Sequence, residues 1–334
     1  MSIPTSIKDV IVFALFLFLM YLFFFGDVSA LPFIEQLLSE DVQSIFIVFL
    51  AIFLEALPFL LLGAIASSVI NIYVSEAMIA RVIPKNPIAA IFVGVLVAVI
   101  TPVCECAIIP VVRRLIQKGV PVHVGVVLLM CAPILNFIVF GSTYYAFRLN
   151  MPIVYGRFII CVLAAVIVGF IMHHYFSKKN VLKMHKEDLV GNVPINENKG
   201  DSRWKGILHH TSFEFFAVAK YFIIGALFAA IAQVYFQDVL YGLAGENPFK
   251  GTAVMMALAY ILSLCSEADA FVAVSFAKTF QPEAILGFLV FGPILDFKNT
   301  LVMLASFRFK FVLVFIMVVS VIVFTLSILA GYFL

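Results

Sequence analysis

Apolar runs long enough to span a bilayer recur through almost the whole chain, and no other feature limits its possible folds as strongly. A spanning helix needs about 20 consecutive, mostly apolar residues. Such runs lie at roughly 9–25, 44–70, 121–140, 153–175, 213–235, 284–304 and 309–333. With 64% hydrophobic and only 12% charged residues among 334, the chain has too little polar surface to cover a water-soluble fold. The run from Val10 to Phe25 is followed by Gly26-Asp27-Val28, which offers no small-residue cleavage site, so it reads as a retained helix. Five cysteines, mostly inside apolar runs, argue against a secreted disulfide framework. There is no G-x-x-x-x-G-K phosphate loop, no H-E-x-x-H zinc motif and no sign of nucleic-acid binding. The expectation is an all-α polytopic membrane protein that is not an enzyme.

Two further apolar runs, near 88–118 and 252–278, are interrupted halfway by polar residues. The first passes through TPVCECAIIP, where Pro102 and Pro110 remove backbone donors. Each arm holds about 14 residues, roughly 21 Å of helix against a hydrocarbon core of about 30 Å. One kinked helix is an alternative; a re-entrant hairpin with its tip inside the membrane is the expectation.

Between about 176 and 211 lies the only long polar stretch, with Lys178, Lys179, Lys183, Lys186, Lys199, Arg203 and Lys205. It reads as a cytoplasmic linker between two halves. An internal repeat supports the division. GAIASSVINIY (63–73) resembles GALFAAIAQVY (225–235), TPVCEC resembles LSLCSE, and APILN resembles GPILD, at offsets of 225 − 63 = 162, 265 − 104 = 161 and 296 − 136 = 160. The expected organisation is an N-terminal helix and outer loop (1–43), a first repeat (44–175), the linker (176–211) and a second repeat (212–334). If both broken runs return to their own side, Lys8, Arg81, Lys85, Arg113, Arg114, Lys118, the linker, Arg308 and Lys310 lie inside. The acidic loops 26–43 and 236–251 then lie outside, with Arg148, Arg157, Lys250 and Lys278. The positive-inside rule favours that arrangement, in which the second repeat is inverted relative to the first.

The chemistry-bearing residues sit in the interrupted runs. Thiols and carboxylate at Cys104-Glu105-Cys106 suit a soft or borderline cation such as zinc, copper(I) or trivalent arsenic. Both sulfurs of a C-x-C pair reach one ion only outside a regular helix. Buried cysteines are also ordinary packing residues, the reading that suits Cys161 and competes at Cys131. The second tip, Cys265-Ser266-Glu267-Ala268-Asp269, offers one sulfur and two carboxylates, and Glu267 or Asp269 can equally serve a half-helix N-terminus. If the repeats face each other, Cys104, Cys106, Cys265 and Glu267 converge on one site. Asn136 and Asp296 each follow Pro-Ile-Leu, where Pro133 and Pro293 free carbonyls to line a cavity. Coordination of substrate or proton competes there with interhelical hydrogen bonding by Asn136 and a buried ion pair at Asp296. Lys298 stands at i+2 from Asp296, off its face in a regular helix, but a proline-disturbed backbone would let the two pair. Glu55 is a candidate for proton coupling. Lys220 is a candidate partner for a carboxylate such as Asp269, or it snorkels to the surface.

On PVCECAIIP (Pro102–Pro110), the following Lys118-Gly119, CAPILN (Cys131–Asn136) and CSEADAF (Cys265–Phe271), the chain resembles the predicted-permease family that includes bacterial organoarsenical efflux permeases, and within it the YcgR-type branch. The likeness spans nearly everything after the first helix. The family more often shows C-S-C-G at the first tip, where Glu105 and Ala107 stand here. The resemblance implies a permease fold with the cysteine motif in the transport path, and a second small membrane subunit as partner. The leading expectation is a permease moving a thiophilic metal or metalloid ion, zinc-like or arsenical, through a midplane site. No resident cofactor is expected beyond a bound zinc or similar soft cation. An organic-anion permease and an intramembrane thiol oxidoreductase are the alternatives.

Overall fold

The computed structural model describes residues 40–73, 75–84, 86–101, 103–177, 179–183, 200–242, 247–277 and 279–333. The chain divides into two units, Met1–Ile47 and Val48–Leu334. Of the first, only residues 40–47 are described, as the opening turns of a helix. The expected helix at 9–25 and linker residues 184–199 lie outside the described residues.

The described residues form thirteen helices: α1 Glu40–Tyr73, α2 Glu76–Val82, α3 Pro87–Ile100, α4 Glu105–Gln117, α5 Val122–Cys131, α6 Phe137–Ala146, α7 Met151–Phe176, α8 Gly200–Gly242, α9 Pro248–Leu262, α10 Asp269–Phe276, α11 Pro282–Ile294, α12 Phe297–Ser306 and α13 Phe309–Gly331. Five stretches among them are long and apolar enough to cross a membrane: Asp41–Asn71, Met151–Phe176, Phe215–Tyr235, Pro282–Ser306 and Phe309–Gly331. The outer surface fits that medium. Ile88, Phe92 and Leu96 on α3, and Leu313, Met317 and Val321 on α13, form exposed stripes at helical spacing. The protein is an all-α, multi-pass membrane protein.

Breaks, rather than kinks, separate many of the helices. The run expected at 88–118 loses helical geometry around Thr101–Cys104 and restarts at Glu105. The run at 252–278 stops at Ser263, a non-glycine residue in the left-handed region (φ 48°), and restarts at Asp269. Two spans expected to be continuous, 121–140 and 284–304, are also divided, at residues 132–136 and 295–296. The physical reason is local. Proline disturbs the helix, and the next polar side chain then caps a new one. Asn136 accepts from the Val139 amide at 2.8 Å, and Asp296 from the Asn299 amide at 2.6 Å. The linker is shorter than expected, because residues 200–211 already belong to α8. Polar composition signals solvent, not coil, and extending an existing helix costs little compared with nucleating one.

Apart from α2, which has no counterpart among the described residues, the helices from α8 to α13 follow the order of those from α1 to α7, and further landmarks recur at the spacing of the three sequence matches. Asn86-Pro87 opens α3 and Asn247-Pro248 opens α9 (247 − 86 = 161), each asparagine accepting at 3.0 Å from the amide two residues on. Pro121 precedes α5 and Pro282 opens α11 (282 − 121 = 161). Phe147-Arg148 and Phe307-Arg308 follow α6 and α12 (307 − 147 = 160). Packing repeats as well. α5 touches α3, α4 and α7, as α11 touches α9, α10 and α13. Across the halves α4 meets α12 while α10 meets α6, and α7 meets α13. α5 and α11 form the centre: His123–Cys131 and Glu283–Ile294 are buried without exception.

Two repeat-related glycines press the long helices onto this framework. A Cβ on Gly63 of α1 would lie 2.7 Å from the Cα of Ala107 in α4. One on Gly225 of α8 would lie 2.9 Å from the Cα of Lys298 in α12. The helices that carry the chemistry are therefore held at backbone contact.

Candidate functional site

Cys104 is the extended residue before α4 (φ −70°, ψ 166°), while Glu105 and Cys106 occupy its first turn. This change of backbone lets both residues of the C-x-C pair line the same cleft. All three side chains are buried.

The second half meets this tip through α12. Lys298 Nζ lies 3.2 Å from Glu105 Oε1 and 3.1 Å from Asp296 Oδ2, and donates to the Ser263 carbonyl at 2.5 Å. An ammonium has three protons, and here each has an acceptor. The pairing of Asp296 with a residue at i+2 follows from the break. Asp296 stands outside α12 as its cap, so its carboxylate folds back over the first turn, where it also accepts from the Asn299 side chain at 3.1 Å. Asn299 in turn accepts from the Cys106 thiol at 3.5 Å. The left-handed Ser263 turns its carbonyl toward Lys298, a conformation that costs an L-residue about 1–2 kcal/mol. A chain of polar contacts thus runs from α4 through α12 to the end of α9.

Beside this chain of contacts lies a small cleft. Its wall includes Cys104, Glu105, Cys106, Ser263, Cys265 and Lys298, with Glu55 and Phe59 from α1. Three of the five cysteines, from both halves, therefore share one cleft. Glu105 Oε2 is buried and has no hydrogen-bond partner. Cys265 donates its thiol proton to Glu267 Oε2 at 2.6 Å. Among the described residues, no three His, Cys, Asp or Glu side chains are arranged to hold a metal ion.

Asn136 and Asp269 lie elsewhere. Asn136 caps α6 from a buried position, its amide nitrogen donating to the carbonyls of Ala132 (3.4 Å) and Pro133 (3.5 Å). Asp269 opens α10 and pairs with Arg157 Nη2 at 2.7 Å. Lys220 is exposed and stands 5.1 Å from the centre of the Tyr221 ring, so Asp269 finds its cation in Arg157 instead. Arg157 was counted among the charges on the outer side; it lies within α7 and is fully buried. A lone arginine inside an apolar run was itself the signal, since intramembrane charges are costly without a partner. Asn299 was missed because an asparagine one residue beyond a lysine gives no spacing cue.

The family comparison adds to this geometry. The model of a predicted-permease family, ArsP_1, matches residues 41–332. The chain is 43% identical over 282 residues to "UPF0718 protein YcgR" of Bacillus subtilis, covering 84% of this chain and 95% of that protein. It is 35% identical over 298 residues to a "putative two-component membrane permease complex subunit" of Streptococcus mutans, covering 88% of this chain and 97% of the relative. No solved structure matches it. The multi-pass architecture and the extent of these matches, from residue 41 to 332 for the family model, lead to one conclusion: the chain belongs to the predicted-permease family and is a membrane permease.

Proposed function

We propose that this permease moves a thiophilic metal or metalloid cation, zinc-like or arsenical, through the cleft between Cys104, Cys106 and Cys265. The observation that carries the reading is the gathering of three thiols from both halves beside a buried carboxylate oxygen that lacks a partner. Thiolate and carboxylate together suit a soft or borderline cation. A conduction site must bind well enough to admit its cargo and weakly enough to release it. Thiols that share a cleft without forming a closed cage meet that requirement, handing the ion from one or two sulfurs to the next. An organic anion fits less well. Lys298, the one cation among the described cleft residues, is already held by two carboxylates and a carbonyl.

The two halves work in this reading as inverted repeats that rock against each other around the cleft. The reciprocal packing of α4 on α12 and of α10 on α6 supports it. The name of the Streptococcus relative supports a second membrane subunit as partner. The test is flux of zinc and of a trivalent arsenical into proteoliposomes, with and without candidate partner. Serine at Cys104, Cys106 or Cys265 should each lower the flux at least about tenfold, the equivalent of 1.4 kcal/mol of lost ligation, while serine at Cys161 should not. Equal flux in all four variants removes the thiol site.

A further inference from the structure

The Arg157–Asp269 cluster lies outside the cleft, and nothing in the proposed passage of cargo yet uses it. Arg157 Nη2 reaches Asp269 Oδ2 at 2.7 Å and the Ser266 carbonyl at 3.3 Å, and its Nη1 donates to Thr143 Oγ1 at 2.7 Å. Thr143 passes its own proton to the Val139 carbonyl at 2.7 Å. Arg157 and Asp269 are 0% and 2% exposed. Arg157 Nε and Asp269 Oδ1 nevertheless have no partner.

This cluster mirrors the one at the cleft. Glu105 begins α4 of the first half and pairs with Lys298 on α12 of the second. Asp269 begins α10 of the second half and pairs with Arg157 on α7 of the first. Each tip helix thus opens with a carboxylate tied to a cation of the opposite half. The segment from Ser263 to Asp269 joins the two clusters: Ser263 and Cys265 line the cleft, whereas Ser266 and Asp269 meet Arg157. The cation, the carboxylate and Thr143 are all buried.

Stability does not explain such a pair. Desolvating two charges costs about as much as their attraction returns, and apolar replacement of a whole buried pair is often neutral or favourable. Two unpartnered buried atoms add a further cost. A contact that is both buried and incompletely satisfied is suited to being made and broken.

We infer that the Arg157–Asp269 pair is a closed gate on the far side of the cleft, and that its parting continues the cargo path past Ser266, Thr143 and the freed Asp269 carboxylate. This rests on the permease reading. The donors beyond the gate are oxygens, whereas those of the cleft are largely sulfur. A cation crossing the gate leaves soft ligands for hard ones, which favours its release. Arg157 is a positioning residue here: it holds the carboxylate away from cargo until the halves move.

The experiment uses the full chain carrying Thr143→Cys, in oriented proteoliposomes, with an impermeant thiol reagent and mass spectrometry of the peptide that carries the introduced thiol. The paired replacement Arg157→Met with Asp269→Asn removes the gate while leaving no lone charge. Labelling at position 143 should then rise about tenfold, the change expected for removing roughly 1.4 kcal/mol of closed-state bias, and zinc flux should change with it. Labelling and flux both equal to those of Thr143→Cys alone would make the pair merely structural and overturn the inference. If the paired neutral variant fails to fold, the charge-reversed pair Arg157→Asp with Asp269→Arg and the conservative Arg157→Lys decide. The gate predicts faster labelling in Arg157→Lys, while unchanged labelling in whichever of them folds overturns it. A rise in labelling in a protein that moves no zinc would keep the gate and refute the cargo.

Discussion

Replacing Lys298 by methionine will lower the stability of the folded protein by about 3–5 kcal/mol, the cost of breaking a buried pair by removing one partner. The substitution preserves most of the side-chain volume and strips the only ammonium from between Glu105 and Asp296. Two buried carboxylates then share a cavity without a counter-charge, and the Ser263 carbonyl loses its donor. Thermal unfolding in lipid nanodiscs should show a midpoint lower by on the order of 10 °C. Neutralising the carboxylates tests the cause. Glu105→Gln on the Lys298→Met background should recover part of the loss, and adding Asp296→Asn most of the rest. Asparagine is a competent cap in that setting, as Asn136 demonstrates at the repeat-related position. A midpoint unchanged by Lys298→Met, or one that the carboxylate replacements lower further, means that the lysine does not bind the halves together.

The second large effect is steric. Gly63→Val places a branched side chain where even a single Cβ would stand 2.7 Å from the Cα of Ala107 and 2.9 Å from its carbonyl oxygen. Backbone cannot yield as a flexible side chain can, so α1 and α4 must separate. Overpacking of this kind costs about 1–3 kcal/mol. The functional loss should be larger than the loss of stability, because Ala107 directly follows Cys106, and displacements of about 1 Å in a positioned site can cost a hundredfold. Gly225→Val should act in the same way through Lys298, whose Cα lies 2.9 Å from the Cβ position. Gly141→Ala is the control, since nothing stands within 4 Å of its Cβ position. The measurement is the alkylation rate of Cys106 together with the unfolding midpoint. Both should shift in the Gly63 and Gly225 variants and neither in the control. A Gly63→Val protein with native values for both refutes the close approach.

Much of this arrangement was legible before any coordinates. Membrane residence followed from the length and spacing of apolar runs, since a bilayer imposes one dominant requirement on a helix. The break at Thr101–Cys104 followed from short arms and flanking prolines, and the match of Cys104 with Cys265 brought the two tips together. The second pair of breaks was harder to see. Pro133 and Pro293 are each only one residue in an otherwise apolar run, and interruption depended on Asn136 and Asp296 acting as caps, which is a tertiary as well as a local choice. The pairing of Asp296 with Lys298 was legible from the proline-disturbed backbone, but the long-range partners of the charges were not. Lys298 bonds to Glu105 across nearly two hundred residues, and Arg157 to Asp269 across 112. Sequence spacing carries information about neighbours on one helix, not about which helices meet. Charge counting was incomplete at Arg157 for a related reason: it assigns a side of the membrane to each basic residue and does not tell which of them is buried among helices, as this one is.

The claim on which the rest depends is that thiols from both halves serve one cargo in one cleft. Alkylation of all five cysteines, followed by mass spectrometry in native membranes with and without zinc or a trivalent arsenical, tests it directly. The account predicts that Cys104, Cys106 and Cys265, which line the cleft, gain protection together over the same range of cargo concentration, while Cys131 and Cys161, buried away from it, stay unreactive throughout. Protection confined to one half, or rates for all three that neither cargo changes, would contradict it.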